Sequence, residues 1–105
     1  MTTKINQTPY LVLIKEGLKD KDELMEELKL KLNFPDYFGS NWDALSDCLC
    51  DLSWIHEGVI IIKHRDIPKL SIQDLEIYKD ILQDAIYSWN DDETHKLIVE
   101  FPTLF

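Results

Sequence analysis

The chain has 105 residues, of which 45% are hydrophobic and 30% charged, a composition typical of a folded globular protein rather than a disordered one. Its 20 acidic residues outnumber 11 Lys and Arg, and the net charge of −9 disfavours binding to nucleic acid or to an anionic membrane. The length predicts one domain over residues 1–105. Such a charge favours encounter with basic partners, although solubility alone would explain it equally well.

The first residues and the cysteines bear on where the protein works. No basic segment followed by an apolar run of about 7–15 residues opens the chain, so no secretory signal is expected. No apolar stretch approaches the roughly 18 residues of a membrane span. Cys48 and Cys50 would project about 200° apart on a helix and cannot pair with each other. Without a disulfide framework, we expect a cytoplasmic protein.

The first predicted elements are a strand and a helix. Residues 9–15, PYLVLIK, form a continuous apolar run, which favours a strand buried on both faces of a parallel sheet. Asp20 or Asp22 can cap the helix that follows, and Glu27 and Lys31 lie on its polar face as a favourable pair. The apolar stripe of this helix consists of Leu24, Met25, Leu28 and Leu32.

The second half of the chain repeats this alternation. Residues 57–63, EGVIIIK, and 95–101, HKLIVEF, predict two more strands. Between them, Ser71 and Asp74 fit a capping box for a helix that reaches about Trp89. Three strands separated by helices predict an α/β fold, with right-handed crossovers, packed helices and a small three-stranded parallel sheet. For so short a chain, the alternative is that the helices cover mainly one face of the sheet.

The most informative segment is residues 33–53, NFPDYFGSNWDALSDCLCDLS, which lies in a stretch without Lys or Arg between Lys31 and Lys63. It predicts a Pro- and Gly-containing loop followed by a short helix. The core side of that helix would carry Leu45, Cys48, Leu49 and Leu52. The other side would carry Asp43, Asp47 and Asp51 at i, i+4 and i+8, flanked by Trp42 and Ser46.

The aspartates of this helix are poor choices for stability. Like charges at i,i+4 destabilise a helix by roughly 0.2–0.5 kcal/mol per pair, and Asp is a weak helix former. Asp43 has an ordinary alternative role, since Ser40 and Asp43 fit a capping box. Asp47 and Asp51 could form a solvated face, but residues that cost stability without a visible return favour a functional site.

The aromatic residues of the loop before the helix include both core candidates and a contact candidate. Phe34 and Phe38 fit core positions, whereas Tyr37 is the better candidate for contact with a partner, because tyrosine offers area and a hydroxyl with little entropy to lose. Gly39 is expected to supply a positive φ in the turn before the helix.

The segment PDYFGSNWDALSDCL, residues 35–49, resembles the signature of the barstar family of intracellular inhibitors of secreted bacterial ribonucleases. The element order also agrees along nearly the whole chain. The resemblance implies a barstar-like fold in which the loop and second helix occlude the enzyme's basic active site, with carboxylates in place of RNA phosphates. Tyr37, Asp43 and Asp47 match the contact tyrosine and the two helix aspartates, Asp47 being central. Asp84 lies near the position at which the family has a further acidic contact.

The predicted partner surface is therefore broader than the aspartates alone. It comprises Tyr37, Phe38, Gly39, Asn41, Trp42, Asp43, Ser46, Asp47, Asp51 and Asp84. Three positions depart from the family pattern: Ser46 and Leu52 replace tryptophans, and Asp51 replaces a glycine. The expected partner is a secreted or toxin-type ribonuclease with a basic active site, bound by a monomer in a 1:1 complex. The alternative is an acidic immunity or regulatory module for a different basic toxin or partner.

An enzyme is the less favoured class. The histidines His56, His64 and His95 show no metal-ligand spacing, and no glycine-rich phosphate loop is present. Asp43 and Asp47 could in principle hold Mg²⁺ or act as an acid–base pair. We predict no catalytic residues, no metal site and no cofactor.

Overall fold

The computed structural model describes residues 8–90 and 95–102. Their elements, in chain order, are β1 (Tyr10–Ile14), α1 (Lys21–Leu32), α2 (Trp42–Asp51), β2 (Val59–His64), α3 (Ile72–Asn90) and β3 (Lys96–Glu100). The strands form one parallel sheet in the order β1-β2-β3. The predicted α/β class with a three-stranded parallel sheet is confirmed. None of the helices in the described ranges is both long and apolar enough to cross a membrane.

The sheet is covered by helices on one face, which corrects one expectation. When both right-handed crossovers lead to the next strand in the same direction, their helices lie on the same face of the sheet. In β1, Val12 and Ile14 are buried at 1% exposure, whereas Leu11 and Leu13 are 53% and 43% exposed. The prediction that residues 9–15 are buried on both faces is therefore wrong.

Helix α1 is built largely as its pattern predicts. The Asp20 side chain caps it by accepting a hydrogen bond from the Glu23 N–H at 2.9 Å. The four residues of its predicted apolar stripe are all buried. Glu27 pairs with Lys31 at 3.9 Å, yet it is buried and also accepts a hydrogen bond from the Lys15 N–H at 3.0 Å. This carboxylate therefore ties α1 to the end of β1, a role that the polar side of the pattern does not indicate.

Helix α3 completes the layer that faces the sheet. Its start is confirmed by the Ser71 Oγ, which accepts a hydrogen bond from the Asp74 N–H at 3.0 Å. Tyr78 is fully buried, and its hydroxyl lies 2.7 Å from Nε2 of His64, the last residue of β2. Because Nδ1 of His64 lies 2.9 Å from the Glu100 carbonyl, which can only accept, Nδ1 carries the proton and Nε2 accepts from Tyr78.

Candidate partner-binding site

Asn41, and not Ser40, caps the N-terminus of α2. Its Oδ1 accepts a hydrogen bond from the Ala44 N–H at 2.7 Å, and the helix begins at Trp42. Ser40 lies in the left-handed region at φ 55°. The capping box predicted for Ser40 and Asp43 is therefore wrong, and Asp43 is left as an exposed carboxylate in the first turn.

Gly39 has a different role from the one predicted. The positive φ in this turn belongs to Ser40, whereas the glycine with a positive φ in the described residues is Gly17. A Cβ at position 39 would lie 3.3 Å from Nδ2 of Asn41, tighter than most contacts of a side chain. Gly39 therefore leaves room for the capping amide beside it.

The inner side of α2 is fixed to the rest of the protein. Leu45, Cys48 and Leu49 are buried, as the helical projection predicts. Leu52 ends the helix in the left-handed conformation at φ 47°. Close to that end, the indole Nε1 of Trp89 on α3 donates to the Leu49 carbonyl at 2.8 Å. The helix is thus capped at its start and held by a second helix near its end.

The outer side of α2 carries the predicted row of carboxylates. Asp43, Asp47 and Asp51 are all exposed. A spacing of four residues advances about 6 Å along a helix, so the row spans about 12 Å. Within residues 8–90 and 95–102, the ion pairs join Glu27 with Lys31 and Lys63 with Glu100, and none involves this row. The α2 aspartates therefore form a negative surface without an ion pair in the described part of the chain.

The loop before α2 is anchored by aromatic side chains. The Phe34 ring lies 4.8 Å from that of Phe38 and 6.1 Å from that of Trp54, measured between centroids. Trp54 in turn donates from Nε1 to the Leu32 carbonyl at the end of α1, at 2.8 Å. Phe38 is only 6% exposed, so its core role is confirmed and its side chain does not lie on the predicted partner surface. Tyr37 is 69% exposed.

Tyr37 lies beside the carboxylate row. Its hydroxyl is 3.4 Å from Oδ2 of Asp51, and this contact joins the loop to the last turn of α2. The pKa of Tyr37 is raised, first by partial removal of the phenol from water and then by the negative charge of Asp51. Burial likewise raises the pKa of Cys48, and the charges of Asp51 and Asp47 add to that rise.

The remaining predicted residues flank this surface. Trp42 is half-buried, with its ring centroid 6.2 Å from that of Tyr78 and the Lys21 ammonium 5.9 Å away. Ser46 is half-exposed on α2. Asp84 is exposed on α3, which packs against α2. Trp42 thus mainly packs against the protein, while Asp84 lies on a neighbouring helix.

Trp54 and Trp89 support the site but were not identified as such from the sequence. Each donates its indole N–H to a carbonyl in or at the end of a helix. A buried tryptophan usually donates its indole N–H to such an acceptor, so the residue type alone predicts that a hydrogen bond of this kind forms. Which carbonyl it meets depends on how segments far apart in the sequence pack together, which periodicity does not determine.

The geometry suits binding of cationic groups. In the described ranges, no group of three or more His, Cys, Asp or Glu side chains could hold a metal ion. A cavity of about 600 Å³ lies beside α1 and the end of β1, away from the α2 row. Its lining consists of Lys15, Glu16, Gly17, Asp22, Glu23, Glu26, Glu27 and Leu30. Its lining residues are mainly acidic and include neither cysteine nor histidine.

Comparison with known proteins agrees with this architecture. Residues 9–101 match the family described as Barstar (barnase inhibitor). A protein of Bacillus subtilis (strain 168), named "Putative ribonuclease inhibitor YrdF", is 65% identical over 26 residues, an alignment that covers 25% of this chain and 29% of that relative. The family match extends over all strands and helices of the described fold. The chain belongs to the barstar family.

Proposed function

We propose that this protein inhibits a bacterial ribonuclease by placing α2 and the Tyr37 loop over the enzyme's basic active site. The family match and the name of the relative support ribonuclease inhibition in general. The observation that carries the mechanism is the row of exposed aspartates on a fixed helix, with no ion pair to them in the described residues.

Charge complementarity explains why such a surface would inhibit. A ribonuclease gathers Arg, Lys and His side chains to hold the phosphates of RNA. Carboxylates form strong, charge-assisted hydrogen bonds with the same groups, often in pairs with one guanidinium. Because α2 is held at both ends, these carboxylates lose little freedom on binding, and less of the interaction energy is spent on ordering them.

The row and the loop have distinct roles in this proposal. Asp47, in the middle of the row, meets the centre of the basic site, and Asp43 lies one turn before it. Tyr37 supplies an exposed aromatic surface at the side of the row. The inhibitor acts as a monomer in a 1:1 complex and protects the cytoplasm of the bacterium that makes it.

The direct test is cleavage of RNA by a small guanyl-preferring bacterial ribonuclease titrated with the wild-type protein. We expect the activity to fall to baseline at one inhibitor per enzyme. Retention of full ribonuclease activity with a several-fold excess of folded protein would contradict inhibition of that enzyme class.

A different basic toxin is the second candidate target. The feature that favours it is Asp51, an exposed carboxylate at a position where the resemblance predicts glycine. A panel of bacterial ribonucleases and other basic toxin domains, tested for capture at low and high salt, separates the two targets. Capture of a toxin that does not cleave RNA, with no ribonuclease retained, would favour the alternative.

A further inference from the structure

Tyr37 is an exposed aromatic residue whose hydroxyl points back towards its own protein. Its neighbours Phe34 and Phe38 are buried, so the loop backbone is anchored while the Tyr37 ring remains 69% exposed. In the described part of the chain, the hydrogen bond of this hydroxyl is the one to Oδ2 of Asp51, at 3.4 Å. An ionised carboxylate only accepts, so Tyr37 is the donor.

Asp51 lies where a carboxylate is unfavourable for α2 itself. It is the last residue of the helix, near the negative end of the helix dipole, and it follows Asp47 by one turn. The last turn contains no basic residue to offset either effect. What Asp51 provides in return is an acceptor for the loop that carries Tyr37.

We propose that Asp51 is a positioning residue, which orients the phenol of Tyr37 beside the carboxylate row and thereby presents it pre-ordered to the ribonuclease. This inference rests on the proposed function. An unrestrained tyrosine would lose rotamer freedom on binding, whereas a partly oriented one loses less. Because 3.4 Å is longer than most O–H···O hydrogen bonds, the contact biases the ring rather than locking it. Its effect on affinity is therefore modest.

The test in the complex compares D51A, D51N and Y37F by binding kinetics with the same small guanyl-preferring ribonuclease. D51A should raise the dissociation rate about 3- to 10-fold, because the acceptor is lost. D51N keeps an acceptor oxygen without the charge and should restore the rate to within about 2-fold of wild type. In a Y37F background, which lacks the donor, D51A should have no further effect.

Two outcomes would overturn the positioning role. Equal effects of D51A and D51N would assign Asp51 a direct charge interaction with the enzyme. An effect of D51A that persists in Y37F would show that Asp51 does not act through Tyr37. Glu16→Ala is the control for the change in net charge, because Glu16 is exposed beside the cavity that lies away from the α2 row.

A second measurement uses the free protein and needs no enzyme. With labelled tyrosine, NMR contacts between the Tyr37 ring and the side chain at position 51 should be present in wild type. They should persist in D51N, whose amide side chain keeps an acceptor oxygen, and should disappear in D51A. Unchanged ring contacts with the rest of α2 in D51A would overturn the positioning role. If these contacts behave as expected but the wild type inhibits no ribonuclease, the proposed function fails and the binding role of Asp51 fails with it.

Discussion

At the scale of single residues, the start of α2 shows how one side chain sets the position of the carboxylate row. Asn41 accepts from the Ala44 N–H, so the helix begins at Trp42 and turns Asp43 and Asp47 outwards. Ser40 and Asn41 both favour capping positions, and the sequence does not distinguish them. The left-handed conformation of Ser40 decides in favour of Asn41.

Replacing the capping residue should therefore weaken the helix. We expect Asn41→Ala to lower the free energy of unfolding by about 1 kcal/mol, because the Ala44 N–H loses its acceptor. Urea denaturation provides the measurement. Asn41→Ser retains a capping oxygen and should stay within a few tenths of a kcal/mol of wild type. Equal losses in the two variants would show that capping is not the role of this side chain.

The sequence predicts the carboxylate row better than it predicts the loop. Asp43, Asp47 and Asp51 share one side because any regular helix places i, i+4 and i+8 together. The contact between Tyr37 and Asp51 depends instead on the turn that joins two elements. Spacing along the chain does not determine such a turn. For the same reason, the prediction of a positive φ at Gly39 is wrong, and Ser40 has it instead.

At the scale of elements, α1 and α2 each accept a hydrogen bond near their C-terminal end from a tryptophan. Trp89 reaches the Leu49 carbonyl within α2, and Trp54 reaches the Leu32 carbonyl at the end of α1. Each acceptor lies among the last carbonyls of a helix, which have no partner within the helix itself. The two tryptophans thus make the same kind of bond to different helices.

This parallel allows a matched pair of variants. Trp89→Phe should speed amide hydrogen exchange in the last turn of α2, because the Leu49 carbonyl loses its donor at a cost of about 1 kcal/mol. Trp54→Phe should leave exchange in α2 near its wild-type rate and affect the end of α1 instead. The same exchange pattern in both variants would contradict a local role for Trp89.

The elements themselves were predictable, but their environment was only partly so. Apolar runs and capping residues predicted the strands and helices in the correct order. The apolar run at residues 9–15 predicts burial on both faces of the sheet, and this prediction is wrong. A continuous apolar pattern does not reveal how many faces of the sheet the helices cover. Leu11 and Leu13 are exposed because both crossovers return on the same side.

At the scale of the whole molecule, the net charge of −9 should govern the rate of association. A strongly acidic protein is steered towards a basic enzyme, and salt screens that attraction. We expect the association rate constant to fall about tenfold or more between about 0.05 M and 0.5 M NaCl, with a smaller change in dissociation. Stopped-flow fluorescence measures both. An association rate independent of salt would contradict charge steering.

The pH dependence of folding should report the buried histidine of β2. Burial lowers the pKa of His64, although its hydrogen bond to the Glu100 carbonyl and the charge of Asp66 oppose that shift. Folding therefore favours the neutral ring, and the unfolded chain binds more protons below about pH 6.5. The stability from this site is present above that pH and is lost as the pH falls towards the folded-state pKa.

Urea denaturation between about pH 7.5 and 5.5 tests this linkage, since most carboxylates stay ionised there. The free energy of unfolding should decrease with acidification in wild type and decrease less in His64→Gln, which lacks the titrating ring. If the two proteins lose stability in parallel over this range, His64 is not the group responsible.

The inhibition constant of Asp47→Ala against the guanyl-preferring ribonuclease tests the central claim most directly, because the proposed mechanism places this carboxylate against the enzyme's cations. We expect inhibition weaker by about 2–5 kcal/mol, a range for charge pairs at interfaces that was established in part on complexes of this family. Glu16→Ala, which changes the net charge equally, should inhibit within about twofold of wild type. Inhibition by Asp47→Ala as strong as by wild type would contradict the α2 mechanism.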